Sequence, residues 1–179
     1  MAVFEYYYKR IIKQDLLVKF NYKNSLQIPN LEKIVLSFSA SQSSLRQLLP
    51  LLAALTLISS QTPSLITSKR LHLFLKVKNG VPVGCKVDLR GKRKFLFLEK
   101  ILIYILPRLK DIKWSQAHRN FSFSIDNIFL FKEIEKDYEF FQSLPKLNVD
   151  LVFKARFKEE IFCLLSAFKF PFFGKKKYN

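Results

Sequence analysis

Apolar positions recur at helical spacing from the start of the chain, with Phe4, Tyr7, Tyr8, Ile11, Ile12, Leu16 and Phe20 separated by Lys9, Arg10, Lys13 and Lys19. This spacing predicts a basic amphipathic helix over residues 1–20. The turn-rich stretch Asn21–Asn30 follows, and then Leu31–Phe38 carries a contiguous Ile34-Val35-Leu36, the pattern of a strand with at least one buried face. Ser39–Ser44 reads as a breaker and cap. Leu45, Leu48, Leu49, Leu52, Leu55 and Ile58 predict a core helix over Leu45–Ser59, with Pro50 tolerated if the regular helix starts near Leu49.

Beyond Gln61-Thr62-Pro63 a short strand is expected at Ser64–Lys69. Basic and apolar residues then alternate over Leu71–Lys78 up to the turn signal Asn79-Gly80, which predicts a protruding basic loop or hairpin arm. Pro82–Gly84 reads as a turn, Val83–Leu89 as a strand, Arg90-Gly91 as a turn and Lys92–Leu109 as a long helix. Ser115–Arg119 reads as a loop, Phe121–Phe131 as a strand region and Glu133–Ser143 as an acidic turn with some helix. Leu147–Ala155 alternates as a half-exposed strand should, and Lys158–Phe168 is a helix whose Glu159 and Glu160 suit the positive end of its dipole. This order gives an α+β fold, a mostly antiparallel sheet packed with helices. Without repeats or a Gly/Pro/Ser linker, one domain is expected over 1–179, with a basic loop at 69–82 and an aromatic, basic tail at 169–179.

Charge narrows the function. The chain carries 31 Lys and Arg against 14 Asp and Glu, a net of +17, yet is 49% hydrophobic. A disordered basic tail lacks such apolar content, so the object is a folded binder of polyanions: nucleic acid, an anionic membrane or an acidic protein. The apolar runs Leu48–Ile58 and Ile101–Pro107 are far shorter than the roughly 20 residues a membrane span requires. A membrane-surface mode would need an amphipathic helix to spare, and the helices here are needed for the core, so no membrane partner is expected. The first residues show no cationic leader with an apolar segment and no Arg/Ser-rich presequence, so the chain is expected to be made where it works or to be mature. Phe 19 and Tyr 7 against Gly 4, with Lys outnumbering Arg, indicate A+T-rich coding, as in an organelle or a reduced bacterium.

Catalytic chemistry finds no footing. No Gly-rich phosphate cradle or nucleophile elbow is present, and Ser39, Ser41, Ser43 and Ser44 have no nearby base. Glu159-Glu160 is a helix start rather than an acid/base pair, since adjacent helical residues do not face each other. Cys85 and Cys163 lack metal-ligand spacing and read as reduced core thiols, and His72 and His118 have no ligand-spaced neighbour, so neither a metal nor another cofactor is expected. What stands out is cations interleaved with packing residues: Lys69/Arg70, Lys76/Lys78, Lys86/Arg90/Lys92/Arg93/Lys94, Arg108/Lys110/Lys113 and Lys169/Lys175/Lys176/Lys177. Each cluster alone reads equally as a solvated face; together they exceed what 14 acids can neutralise and read as a phosphate-matching surface.

These residues also carry a resemblance. Phe20-Asn21-Tyr22, Gln27-Ile28-Pro29 and Leu31-Glu32-Lys33-Ile34, then Gln61, Pro63, Leu65-Ile66-Thr67 and the block Gly80, Pro82-Val83-Gly84-Cys85-Lys86-Val87, Leu89-Arg90-Gly91 resemble the bacterial-type large-subunit ribosomal protein five family, the 5S-rRNA-associated one. Pro107-Arg108, Asp111, Asn120-Phe121-Ser122, Phe131, Glu133-Ile134 and Leu165-Ser166-Ala167-Phe168 with Phe170-Pro171-Phe172 continue it in order over nearly the whole chain. The resemblance implies a non-catalytic constituent of the large subunit's central protuberance. Its implied partners are 5S rRNA, large-subunit rRNA, P-site tRNA, neighbouring central-protuberance proteins and a small-subunit head protein.

Carried over by position, the resemblance puts the tRNA-directed loop at Lys69–Pro82, with Lys69, Arg70, Lys76 and Lys78 as its cations. It puts Ser37, Gln61 and Asp88 towards 5S rRNA and Lys86 and Arg90 beside rRNA, with Lys92, Arg93 and Lys94 following in the same cation row. For Gln61 and Arg90, bracing of the backbone is an equal alternative. Asp88 stands where the family has Thr, the turn after Leu36 has no Gly, and the loops at 69–82 and Trp114–Arg119 are shortened, which implies divergent 5S rRNA or remodelled contacts. The expected setting is a mitochondrial ribosome, with a plastid or bacterial cytoplasm as alternatives; a free RNA-binding or RNA-chaperone module of the same fold is the rival function.

Overall fold

In the computed structural model, residues 3–40, 45–71, 77–109 and 112–171 are described. The elements run α1 (Val3–Tyr7), a π-helical turn (Tyr8–Ile12), α2 (Lys13–Lys19), β1 (Asn30–Ser39), α3 (Leu45–Ser59), β2 (Ser64–Thr67) and β3 (Pro82–Leu89). Next come α4 (Lys92–Lys100) with a π-helical turn to Ile105, β4 (Trp114–Ala117), β5 (Asn120–Ile125), α5 (Lys132–Glu135), α6 (Tyr138–Phe141), β6 (Leu147–Lys154) and α7 (Lys158–Ala167). The six strands form one antiparallel sheet in the order β2-β3-β1-β6-β5-β4, so the α+β expectation holds. The residues divide into two compact units, one of 1–34, 89–123 and 150–179 and one of 35–88 and 124–149.

In the first unit an aromatic core grows from residues far apart in sequence. Tyr8 packs between Phe95 and Phe168, with ring centroids 6.1 and 6.4 Å away, and its hydroxyl donates to the Pro29 carbonyl at 2.9 Å. Phe170 meets Phe121 and Phe123 at 5.1 and 5.6 Å, and Trp114 lies 5.4 Å from Phe121. Phe170 is turned inward by the end of α7, where Lys169 takes a left-handed φ of 57° while the Phe170 amide donates to Leu165 O and the Lys169 amide to Ser166 O. That is a Schellman closure, here without the usual glycine. At the other end of α7, the buried Glu160 reaches back, its Oε2 accepting from the amides of Arg156 at 2.9 Å and Phe157 at 3.5 Å.

The second unit is built on β1 and β3. Leu36 and Phe38 of β1 and Cys85 and Val87 of β3 are buried, and burial pushes the Cys85 thiol up to about 11, partly offset by a hydrogen bond with the Phe38 backbone. A Cβ on Gly84 would lie 2.3 Å from the Phe38 carbonyl oxygen, so only glycine allows the two main chains to approach this closely.

Three expectations are corrected. Pro82–Gly84 is the start of a strand rather than a turn, with Ile66 paired to Gly84 and Thr67 to Pro82 across an irregular step in register. Ser115–Arg119 is mostly strand, because β4 pairs with β5 through main-chain bonds that require no apolar alternation. The helix α3 begins at Leu45 with Pro50 inside it, where the proline removes the N–H that would bond to Arg46 O and sets its ring against that carbonyl.

The buried Tyr8 phenol makes the fold sensitive to alkali. Burial raises its pKa from 10.0 to about 12, so its contribution is complete below pH 10 and is lost as pH rises towards 12, where the unfolded chain releases the proton first. Tyr8→Phe should cost about 1–2 kcal/mol at pH 7 by leaving the Pro29 carbonyl without its donor, and should flatten the loss of stability between pH 10 and 12. Denaturant titrations across that range check both; equal alkaline slopes would refute the role given to the phenol.

Candidate nucleic-acid interface

Period-two alternation in β3 turns Cys85, Val87 and Leu89 inward and leaves Lys86 exposed and Asp88 half-buried. Lys86 is positioned from its backbone: it pairs with Ser64 of β2, whose Oγ donates to the Lys86 carbonyl at 3.2 Å. Asp88 is not a free carboxylate. On the neighbouring strand β1, Ser37 is half-buried between Leu36 and Phe38. Gln61 is half-buried in the turn after α3, its amide donating to Ser59 Oγ at 3.2 Å while that hydroxyl donates to the Gln61 carbonyl at 3.1 Å. Its backbone therefore braces the turn.

The base of the basic loop is closed by main-chain bonds from Ser68 N to Val81 O and from Gly80 N to Ser68 O, both 2.9 Å. Gly80 has a φ of +80°, the left-handed conformation this turn requires. Lys69, Arg70 and Lys78 are exposed, and Ser68 Oγ donates to the Arg70 carbonyl at 2.7 Å. Lys76 lies outside the described residues, as do Ser41–Ser44, His72, Lys110, Asp111 and the tail beyond Pro171.

In the first unit, Arg90, Lys92 and Arg93 are exposed around the start of α4, where Gly91 gives no side-chain cap. Cations at the positive end of a helix dipole repel it, and an anion bound there would relieve the repulsion. Lys94 departs from the row expected of it. It is buried, and its ammonium donates to the Leu31 carbonyl and lies 3.5 Å from the Glu32 carbonyl. Burial lowers its pKa, with the Glu32 and Glu5 carboxylates pulling it partly back. Helical geometry accounts for this, since Lys94, Phe95 and Leu98 share the face that packs. Polar positions alternate out of the strands, Asn120, Ser122 and Lys154 in the first unit and Asn148 in the second, and the sequence did not single them out as candidate RNA contacts. They alternate with buried Phe121, Phe123, Phe153 and Val149.

The arrangement presents cations and small polar groups on strand, turn and helix start. Comparison with known proteins gives this a class. A family profile for the C-terminus of the ribosomal L5 family matches residues 82–172. Proteins named large ribosomal subunit protein uL5 are 35% identical in Wigglesworthia glossinidia brevipalpis, covering 96% of this chain and 99% of that protein, and 34% identical in Nitrosomonas eutropha, covering 93% and 96%. The uL5 of Baumannia cicadellinicola is 34% identical over 96% of this chain and 98% of its own length. The chain belongs to the bacterial-type L5 family and is a structural, non-enzymatic protein of the large ribosomal subunit.

The two kinds of lysine separate by experiment. Lys94→Met should cost about 2 kcal/mol of folding stability by orphaning the Leu31 carbonyl, with the salt dependence of binding to a large-subunit rRNA fragment unchanged. Lys86→Ala should leave stability within about 0.5 kcal/mol and lower the log–log salt slope by about 1. Denaturant melts and filter binding at several salt concentrations read both, and a reversal of the two outcomes would contradict the assignment.

Proposed function

We propose that the protein holds rRNA of the central protuberance, 5S rRNA and the adjoining large-subunit rRNA, during translation. Lys86, Ser37, Gln61 and Asp88 serve in one unit and Arg90, Lys92 and Arg93 in the other. The observation that carries this reading is the exposed set Lys86, Arg90, Lys92 and Arg93, four cations within eight consecutive residues on strand, turn and first helical turn. Cations carried on regular secondary structure meet phosphates without the cost of ordering the main chain, and Ser37 and Gln61 add hydrogen-bonding groups for sugar and base edges. Asp88 contributes through its existing partner rather than by approaching phosphate.

The loop 69–82 reaches towards P-site tRNA, with Lys69, Arg70, Lys76 and Lys78 as its cations, while other surfaces meet neighbouring central-protuberance proteins and the small-subunit head. The closed base at Ser68, Gly80 and Val81 supports a projecting loop. The A+T-rich composition supports an organellar ribosome, for which we retain the mitochondrion; the bacterial relatives support a bacterial-type particle and the bacterial cytoplasm as the alternative setting.

Epitope-tagged protein should migrate with large subunits in a high-magnesium gradient. Recovery only in the soluble fraction would overturn the ribosomal reading and favour a free RNA-binding module. Changing Lys76 and Lys78 to Glu should weaken P-site tRNA retention on purified ribosomes while leaving gradient migration intact; loss of assembly would contradict the separate role of the loop.

A further inference from the structure

In the first unit the turn between β4 and β5, the end of β6 and the start of α7 come together. The Phe153 amide donates to the Arg119 carbonyl at 2.9 Å, Gln116 Nε2 donates to the Lys158 carbonyl at 3.5 Å, and Trp114 of β4 meets Phe162 of α7 edge-on with ring centroids 6.0 Å apart. These contacts gather the exposed Arg119, Lys154, Arg156 and Lys158 around Phe157.

Phe157 is 66% exposed, although Phe153 and Ala155 just before it are buried. It stands at the N-cap of α7, a position that favours a short polar side chain, and its ring can supply none of the hydrogen bonds a cap makes. Neither burial nor capping accounts for an aromatic ring here. The main chain beneath it is fixed, because Glu160 Oε2 accepts from the Arg156 and Phe157 amides at 2.9 and 3.5 Å. That carboxylate is buried, so over residues 154–160 the exposed Glu159 stands against the exposed Lys154, Arg156 and Lys158.

The chemistry around the ring selects the partner. A protein interface has a core of several apolar side chains and keeps most charge at its rim, whereas both neighbours of Phe157 in the chain are cations and no other apolar residue is exposed over 154–160. A single-stranded nucleic acid needs the opposite, one flat apolar face for a base and cations around it for the flanking phosphates. Asn120, exposed at the start of β5, adds an amide that both donates and accepts. A duplex keeps its bases stacked on one another and has no use for the ring.

We infer that Phe157, with Arg119, Lys154, Arg156 and Lys158, forms a binding site for an unpaired nucleotide of RNA, the base stacked on the ring and the flanking phosphates held by the cations. The site uses none of the residues assigned above to rRNA or tRNA. That the nucleotide belongs to rRNA rests on the ribosomal reading.

The purified full chain is titrated with a labelled, unstructured RNA oligonucleotide and, separately, with duplex RNA of the same length. Phe157→Ala should weaken single-strand binding roughly tenfold without changing its salt slope, Phe157→Trp should bind at least as tightly as the unsubstituted chain, and duplex affinity should not move. Lys154→Gln with Arg156→Gln should lower the single-strand log–log salt slope by about 1.4. These side chains are exposed, so the variants should unfold at the same denaturant concentration as the unsubstituted chain. A benzophenone side chain at Phe157 then identifies the source of the nucleotide: irradiation of gradient-purified particles should give an adduct to an unpaired position in rRNA. Single-strand affinity unaffected by Phe157→Ala, an equal loss on duplex, a salt slope unmoved by the paired substitutions, an adduct to a protein, or no adduct in particles that contain the chain would each overturn the inference. Absence of the unsubstituted chain from large subunits, with the oligonucleotide results as expected, would instead overturn the ribosomal reading and leave the nucleotide site standing.

Discussion

The second unit depends on how closely β1 and β3 approach at Gly84. Main chains in a sheet ordinarily keep a distance that leaves room for a Cβ, but at Gly84 that Cβ would sit 2.3 Å from the carbonyl oxygen of Phe38. The approach places the Cys85 thiol against the Phe38 backbone, and the Ala40 amide reaches the Val83 carbonyl at 2.8 Å. Once β3 is held in this way, alternation alone decides that Cys85 and Val87 are core and Lys86 is exposed. The pairing then extends outwards, since Ser64 of β2 is registered on Lys86 and the base of the basic loop closes where the two strands end. A single missing side chain thus positions both a cation on the sheet and the root of the loop.

In the first unit, cations of one chemical kind do different work according to depth. Lys94 gives its ammonium to the Leu31 carbonyl and tethers α4 to β1, whereas Arg93 and Lys92, one and two residues earlier, remain exposed. Burial makes the first a structural group with a lowered pKa, whereas the others stay at the surface. Net charge therefore overstates the interface. Some of the 31 Lys and Arg are used inside the fold, as Lys94 is, and others stand in local pairs such as Lys9 with Glu5 at 2.8 Å and Lys146 with Asp126 at 3.0 Å.

Much of this was legible in residue order. The first helix, β1, α3, β6 and α7 follow from apolar spacing, because each buries one face and has to show it. What spacing conceals is main-chain pairing and depth. The strand Trp114–Ala117 carries no alternation, the strand beginning at Pro82 opens with residues that usually make turns, and neither fact matters to a ladder of backbone bonds. The buried state of Lys94 was missed because a lysine in a basic row looks like its neighbours until the helix face is known. Phe157 was out of reach for the opposite reason: an aromatic residue looks like core, and only the start of α7 leaves it uncovered.

The central claim, that the Gly84 approach organises the sheet bearing Lys86 and the loop, is tested most directly by amide hydrogen exchange on Gly84→Ala, with rRNA-fragment affinity measured on the same samples. The account predicts that protection falls together over 64–67 and 82–89 and that affinity falls with it. Protection in β2 and β3 equal to that of the unsubstituted chain would contradict it.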